Sequence, residues 1–252
     1  MAGLSIFDGN QIPIIGYVMR VEAHTVGSIM HVIKRGTRGV KIVKDAEDYT
    51  NFIRALFYLN DTYTNENWKR DTAAFSMFER PPLWPEREPL VNILAWTLLP
   101  NHFHLIIQER VEGGIAKFMQ RLCNSMTTNF NKKYHEKGSL FQGSYKGRTV
   151  GKDTYLRQLV WYVMVKNVLE LYPGGITAAV KNFNRAWEWG LQYKYSNFGT
   201  AIQGKMSPLI EDKERLIKTI CQSPAFKKDS KETLKLLHFR SEELKSLALE
   251  EW

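Results

Sequence analysis

Residues 90–108 read LVNILAWTLLPNHFHLIIQ, and this stretch decides the fold. It consists of two apolar runs, 90–99 and 102–108, separated only by Pro100-Asn101. A short apolar run that is bounded by turn residues is typical of a buried strand. The stretch therefore predicts two adjacent strands joined by a tight turn.

The segments on both sides of this pair alternate between strand-like and helix-like patterns. The further predicted elements are a strand at 28–36, an amphipathic helix at 45–59, a second amphipathic helix at 114–134, a strand at 139–150 and a third helix from 152 to about 171. In chain order they form the split βαβ arrangement, in which an antiparallel sheet is backed by two helices. The predicted fold class is therefore α+β, with the helices on one face of the sheet.

One catalytic domain with an arm and a tail is the predicted organisation. The 252 residues are enough for one domain with its own core and a small helical appendage. We expect an irregular N-terminal arm at 1–24, the domain at 25–175, and a tail of two or three short helices at 176–252. Within the domain, a polar segment with several prolines at about 60–89 is expected to be an insertion without regular structure.

The charge of the chain favours a polyanionic partner. Its formal net charge is +9. Between residues 110 and 152, nine basic residues stand against two acidic ones, so most of the excess positive charge lies in one central segment. Lys and Arg gain affinity for nucleic acids by displacing the counterions that are condensed on phosphates.

Two observations predict the cellular setting. The two cysteines, Cys123 and Cys221, are too few and too far apart for a disulfide framework or a zinc site, which fits a reducing cytoplasm. No apolar run reaches the roughly 18 residues that a membrane-spanning helix needs, and the N-terminus lacks the pattern of a signal peptide. We therefore expect a cytoplasmic protein with no membrane partner.

A His-x-His pair opens the second strand of the central stretch. On a strand, residues two apart point to the same face, so His102 and His104 would lie side by side while Phe103 packs on the opposite face. Two neighbouring neutral imidazoles make a plausible site for a divalent metal. The alternative is two half-exposed histidines at the start of a strand.

Five sequence words resemble those of the REP-associated tyrosine transposases and their insertion-sequence relatives among the single-tyrosine HUH transposases. They are HVIKRG at 31–36, EDY at 47–49, LPNHFHLI at 99–106, GSLFQGSYK at 138–146, and YL at 155–156 followed by YV at 162–163. The words occur in the family's order and span roughly residues 28–171. The resemblance is specific because five separate words agree.

The resemblance implies a ferredoxin-like catalytic domain that acts on single-stranded or hairpin DNA. In this family two histidines and a polar side chain hold Mg²⁺ or Mn²⁺ against the scissile phosphate. A tyrosine on a helix attacks to form a 5′-phosphotyrosine link and a free 3′-hydroxyl. Covalent storage of the phosphodiester energy lets such an enzyme rejoin strands without ATP, as a transposase does.

The nucleophile implied by the resemblance is Tyr162, and Tyr155 is the runner-up. The two tyrosines are seven residues apart on one predicted helix. They therefore share nearly the same face and lie about 10.5 Å apart along the axis. Only one of them can reach a given phosphate.

The chain departs from the family pattern at the third metal ligand. A polar residue is expected one turn after the tyrosine, but that position holds Lys166, and a protonated lysine cannot bind a metal. An extra residue in the helix, as in a π-bulge, would bring Asn167 onto the active face. Otherwise Lys166 contacts the phosphate and the third ligand lies elsewhere, with Gln158 as another candidate.

Basic and aromatic residues in several segments are candidates for DNA contact. They are Lys34, Arg35, Arg38, Lys117, Arg121, Lys132, Lys133, Tyr145, Lys146, Arg148 and Lys166. The alternatives are a plain polar turn for the first three, a solvated helix face for the next four, and an edge strand protected by charge for residues 145–148. His24, His31, His135 and His238 have no convincing partners in the sequence and are interpreted as structural.

The predicted function is a metal-dependent transposase-type DNA strand transferase. Its nearest enzymatic rival is a relaxase or replication initiator, which uses the same chemistry as a nickase. A domesticated regulator that binds nucleic acid without catalysis is a rival from another class, favoured by Lys166. A metal-dependent hydrolase is less well supported, because no general base is evident. A homodimer is compatible with the family, whose members occur as dimers and as monomers.

Overall fold

The computed structural model describes residues 24–205, 207–211 and 215–239. The predicted N-terminal arm therefore lies outside the described residues, apart from residue 24. The end of the predicted tail, from residue 240 onwards, also lies outside them.

Four strands form one sheet. They are β1 (Ile29–Arg35), β2 (Val91–Leu98), β3 (His102–Glu109) and β4 (Lys146–Thr149). The strand order is β2-β3-β1-β4, and every neighbouring pair is antiparallel. The two strands of the stretch 90–108 pair directly with each other, as predicted. The α+β class and the split βαβ arrangement are confirmed.

Two helices cover one face of this sheet. They are α1 (Ala46–Tyr58) and α3 (Gly114–Tyr134), and their apolar sides share a core with alternate residues of the strands. The Asp45 side chain caps α1 by accepting a hydrogen bond from the Asp48 backbone N–H. In the centre of this core Phe103 is fully buried, 5.2 Å from the Phe52 ring and 6.0 Å from the Phe141 ring.

The burial of Phe103 leads to a prediction about stability. Phe103→Ala is expected to lower the free energy of unfolding by about 3–5 kcal/mol, because it removes a large buried ring and leaves a cavity. Urea unfolding followed by circular dichroism measures this loss. The matched control is Leu83→Ala, since Leu83 is 97% exposed and its truncation should cost less than about 0.5 kcal/mol. Equal losses for the two variants would contradict this packing of the core.

The other face of the sheet is crossed by the helical segment that follows β4. It consists of α4 (Asp153–Val160), a π-helical turn (Trp161–Lys166) and α5 (Asn167–Glu170). The predicted third helix is therefore present, but it lies on the face opposite to α1 and α3, so the prediction that the helices lie on one face holds for α1 and α3 and not for the third helix. The hydroxyl of Thr97 on β2 donates to the Val163 carbonyl at 2.8 Å, and both groups are buried. This bond fixes the π turn to the sheet.

The tail packs against the same face. In the described residues it contains α6 (Gly175–Lys181), α7 (Phe183–Leu191), α8 (Phe198–Ile202), α9 (Leu216–Cys221) and α10 (Phe226–Phe239). Trp187 is buried in the core that also holds Leu94 and Ile106 of the sheet. The described part of the tail thus contains five helices, whereas two or three were predicted. Turns divide its apolar stretches into several buried helices.

Two loops differ in detail from the prediction. The strand predicted at 139–150 is interrupted: residues 146–149 form β4, and Phe141 makes an isolated bridge with Gly36. Between them Gly143 has a φ of 56°, which an extended strand does not contain. The insertion at 60–89 contains the one-turn helix α2 (Trp68–Asp71). Within this segment the fully buried Asp61 lies 2.5 Å from the Arg80 guanidinium. The Arg54 side chain of α1 donates to the Thr72 carbonyl at 2.9 Å and so ties the segment to the domain.

None of the described helices is both long and apolar enough to cross a membrane.

Candidate active site

His102 and His104 lie side by side on the sheet face that α4 and the π turn cover. Their ring centroids are 5.0 Å apart, while Phe103 points into the core on the opposite face. His102 is 6% exposed and His104 is fully buried. The pair is therefore enclosed and not half-exposed, which places it where a ligand would be shielded from water.

Each of the two rings is oriented through its Nδ1 atom. The Asn101 side-chain oxygen lies 2.7 Å from His102 Nδ1, and because a carboxamide oxygen only accepts, His102 Nδ1 is the donor. His104 Nδ1 lies 3.0 Å from Nε2 of His31. In both rings Nε2 is therefore the nitrogen that would face a metal ion.

His31 is a member of the site that sequence reasoning missed. It lies on β1, is 2% exposed, and its ring is nearly parallel to that of His104, with centroids 5.2 Å apart. The interpretation of this histidine as structural rested on the lack of a partner nearby in the sequence. Its partner is 73 residues away, and only the pairing of β1 with β3 brings the two together.

Tyr162 completes the cluster. Its half-buried ring stands nearly perpendicular to the His104 ring at 5.6 Å and to the His31 ring at 6.3 Å. Tyr155 instead packs beside β4, where the Arg148 guanidinium lies 5.1 Å above its ring. Of the two candidate tyrosines, Tyr162 is the one that contacts the histidines.

A π turn changes which residue follows Tyr162 on the helix surface. The backbone N–H of Asn167 donates to the Tyr162 carbonyl, five residues back, instead of to the carbonyl four residues back. The turn thus contains one extra residue, and Asn167 takes the place that Lys166 would occupy on a regular α-helix. This is the first of the two arrangements that the sequence left open.

The side chain of Asn167 is unusual for a buried amide. It is fully buried, and neither its oxygen nor its nitrogen has a hydrogen-bond partner among the described residues. Leaving such a group unsatisfied costs about 1–3 kcal/mol, so it calls for an explanation. Gln158 lies half-buried on α4, one turn before Tyr162.

The Lys166 side chain is held by a neighbouring carboxylate and is not a candidate metal ligand. Its ammonium group is 2.8 Å from the Glu170 carboxylate, one turn further along the helix. The same group lies 4.9 Å from the centroid of the Tyr162 ring. Lys166 therefore places a positive charge next to the phenol while it is itself held by a carboxylate.

Three cations of the sheet lie on the same face as the histidines. Paired residues of an antiparallel sheet point to the same side, and Arg35 pairs with His102 while Arg148 pairs with His31. Lys146 lies two residues before Arg148 and so shares its face. Partial burial and the neighbouring charge of Arg35 lower the pKa of Lys146. We call Arg35, Lys146 and Arg148 the cationic edge.

Three other basic candidates are engaged within the protein. Lys34 is buried, donates to the Gly143 carbonyl and has its pKa lowered by burial. Lys133 contacts three carboxylates at 2.7–3.1 Å, and Arg121 donates to the Asp61 carbonyl at 2.5 Å.

Of the remaining DNA-contact candidates, three lie on the opposite side of the sheet from the histidines and one lies in a turn. Lys117 and Lys132 are exposed on α3, which covers the opposite face of the sheet. Tyr145 packs against the core on that same face. Arg38 is exposed in the turn that follows β1 and has a φ of 54°.

Comparison with known proteins finds a family model that matches part of the chain. Residues 86–166 match the family model described as "Transposase IS200 like", and this segment contains His102, His104 and Tyr162. The match confirms the resemblance over these residues and supports a transposase-type function in DNA cleavage. Among solved structures, the chain is similar to one described as "Structure of the REP associates tyrosine transposase bound to a REP hairpin", with 14% identity, a TM-score of 0.38, and coverage of 80% of this chain and 92% of that chain. No curated protein matches the chain.

Proposed function

We propose that this chain, whose residues 86–166 match the family model described as "Transposase IS200 like", cleaves and rejoins single-stranded or hairpin DNA through a covalent 5′-phosphotyrosine intermediate. The observation that carries the proposal is the contact of the Tyr162 ring with His104, at 5.6 Å on the sheet face that holds the His pair. A phenol beside two neighbouring imidazoles has the composition that nucleophilic, metal-assisted phosphoryl transfer requires.

The buried side chains around Tyr162 fit a divalent cation. His102 and His104 would bind through Nε2, and Asn167 would add its carboxamide oxygen, which has no other partner among the described residues. The carboxamide oxygen is a donor that suits Mg²⁺ or Mn²⁺, and the family resemblance implies one of these two metals. A cation held there would act as a Lewis acid towards the scissile phosphate.

The protein's own groups account for the covalent step. The Tyr162 oxygen forms a bond to phosphorus, and the bond from phosphorus to the 3′ oxygen of the upstream nucleotide breaks. The phenol loses its proton and the departing 3′ oxygen takes one up, so the proton count balances. Lys166, 4.9 Å from the ring, favours the negative charge that develops on the phenol oxygen. Attack by a 3′-hydroxyl on the phosphotyrosine reverses the step and joins two strands.

The cationic edge is proposed to hold the DNA backbone next to the tyrosine. Arg35, Lys146 and Arg148 point to the face of the histidines, so phosphates bound there would lie beside the reacting group. Lys34, which shares the opposite face of the sheet with Phe103, and Lys133, on α3, are not assigned this role. We propose that the chain acts on DNA in the cytoplasm.

A labelled single-stranded oligonucleotide tests the proposal. With Mn²⁺ and a substrate that carries the target hairpin, a 3′ label should remain with the protein in a denaturing gel, while a 5′ label should leave on a fragment that ends in a 3′-hydroxyl. Release of both labels would indicate a hydrolase. Binding of the hairpin without cleavage would indicate a non-catalytic regulator, and either result would contradict the proposal.

The third ligand leads to a separate prediction. Asn167→Leu is expected to weaken Mn²⁺ binding at least about tenfold, because it removes a donor oxygen. The same change should leave the free energy of unfolding equal or raise it by about 1 kcal/mol, because a buried amide without partners is replaced by an apolar group of similar shape. Isothermal calorimetry and urea unfolding measure the two quantities.

Lys166→Ala is the matched control for this prediction. It should leave Mn²⁺ binding unchanged, since Lys166 is held by Glu170. If Lys166→Ala weakened Mn²⁺ binding as much as Asn167→Leu, the role assigned to the π turn would be wrong.

A further inference from the structure

We propose that His31 is a positioning residue that fixes the tautomer and orientation of His104. The inference deepens the proposed function and rests on it, because it concerns how the site would hold a divalent cation. It goes beyond the His-x-His pair, since His31 lies on a different strand and was not part of the predicted site.

The contact between the two histidines is buried and well aligned. His31 Nε2 and His104 Nδ1 are 3.0 Å apart, and the two rings are within 13° of parallel. His31 is 2% exposed and His104 is fully buried, so water competes little for this bond. Both rings are carried by paired strands, which hold them rigidly.

The chemistry of imidazole gives this bond a direction when a metal binds. A neutral ring has one protonated nitrogen, so His104 can offer the Nε2 lone pair to a cation only when its proton is on Nδ1. That Nδ1–H must then donate, and His31 Nε2 is the atom placed to accept it. In the opposite arrangement His31 would donate and the proton of neutral His104 would block Nε2.

The His102 ring is also oriented by a hydrogen bond at Nδ1, but with a different partner. The Asn101 oxygen accepts from His102 Nδ1 at 2.7 Å, so this ring is set by a residue next to it in the chain. The His104 ring is instead set from across the sheet, by a residue of β1. A hydrogen bond from the second nitrogen of a ligating histidine is the usual way in which proteins fix a metal-binding ring.

The position of His31 also links the metal ligand to the nucleophile. The Tyr162 ring stands edge-on to His31 at 6.3 Å, in addition to its contact with His104. Movement of the His31 ring would therefore disturb both the orientation of His104 and the packing of the phenol. A second readout, besides metal binding, follows from this contact.

The test compares two substitutions of His31. His31→Phe keeps an aromatic ring but removes the acceptor, whereas the His31→Gln side chain can place its carboxamide oxygen where Nε2 lies. By calorimetry, His31→Phe is expected to weaken Mn²⁺ binding about 10–100-fold and His31→Gln only a few-fold. The matched control His135→Asn removes an exposed imidazole at the end of α3 and should change nothing.

A readout without metal separates positioning from mere packing. In ¹⁵N NMR spectra of the metal-free protein at mildly alkaline pH, His104 should carry its proton on Nδ1 in the wild type and in His31→Gln. In His31→Phe a substantial share of the proton should move to Nε2. Equal losses of affinity in the two variants, or wild-type affinity in His31→Phe, would overturn the inference.

The outcomes distinguish this inference from the proposed function. A wild-type protein that binds no Mn²⁺ and forms no DNA adduct contradicts the proposed function. A wild-type His104 that carries its proton on Nε2 contradicts the role of His31, whether or not metal binds. This wild-type spectrum decides the question even if His31→Phe does not fold.

Discussion

Tyr162→Phe is expected to abolish the covalent protein–DNA adduct. Strand cleavage should fall by a factor on the order of 10⁶, the scale of loss when a catalytic nucleophile is removed. The substitution deletes one oxygen atom and keeps the ring that packs against His104 and His31. Binding of the DNA and the free energy of unfolding should therefore stay near the wild-type values. A gel assay for the adduct, together with a filter-binding assay for affinity, measures both effects.

Tyr155→Phe is the matched control. This tyrosine also lies on the helical segment after β4, but it packs under Arg148 and not against the histidines. Its substitution should leave the adduct intact. Loss of the adduct in Tyr155→Phe, with retention in Tyr162→Phe, would reverse the assignment of the two tyrosines.

Loss of His104 should have the second-largest effect. His104→Ala is expected to weaken Mn²⁺ binding by more than about 100-fold. Removing only the hydrogen-bond partner of a metal ligand already lowers metal affinity about 10–100-fold, and this substitution removes the ligand itself. Adduct formation at ordinary Mn²⁺ concentrations should fall in proportion. Calorimetry measures the affinity, and titration of the gel assay with Mn²⁺ shows whether high concentrations restore the adduct.

His135→Asn again serves as the control, since it removes an exposed imidazole at the end of α3, the helix that covers the opposite face of the sheet. It should bind Mn²⁺ as the wild type does. An adduct that forms in His104→Ala at wild-type Mn²⁺ concentrations would contradict the role of the His pair, and the chemistry would have to be assigned to other groups.

Local patterns predicted much of the fold and the centre of the site. Two apolar runs around Pro100-Asn101 predicted β2 and β3, and the alternation of side chains on a strand predicted that His102 and His104 share a face. The spacing of apolar residues at 114–134 predicted α3 with its observed ends. These features depend on neighbours within a few residues, which a sequence displays directly.

Features that depend on distant contacts were not predicted. The partner of His31 lies on another strand, and the strand predicted at 139–150 is interrupted around Gly143. Lys34 has the charge expected of a DNA contact, but β1 places it in the core, where it donates to a carbonyl. Strand pairing and burial decide these cases, and neither is visible in the order of residues alone.

The sequence alone did not decide which residue is the candidate third metal ligand. The sequence placed Lys166 where the family has a polar ligand and left two explanations open. A π turn contains one extra residue, and in this chain the buried Thr97 hydroxyl of β2 donates to the Val163 carbonyl within that turn. Only the structure distinguishes this turn from a regular α-helix.

Peptide mapping of the trapped adduct tests the central claim most directly. Trypsin cuts after Lys152, Arg157 and Lys166, so the two candidate tyrosines fall into different peptides, DTYLR at 153–157 and QLVWYVMVK at 158–166. Mass spectrometry of the digested adduct should find the nucleotide on the second peptide, at Tyr162. A nucleotide on the first peptide, or on any other residue, would contradict the assignment of Tyr162 as the nucleophile.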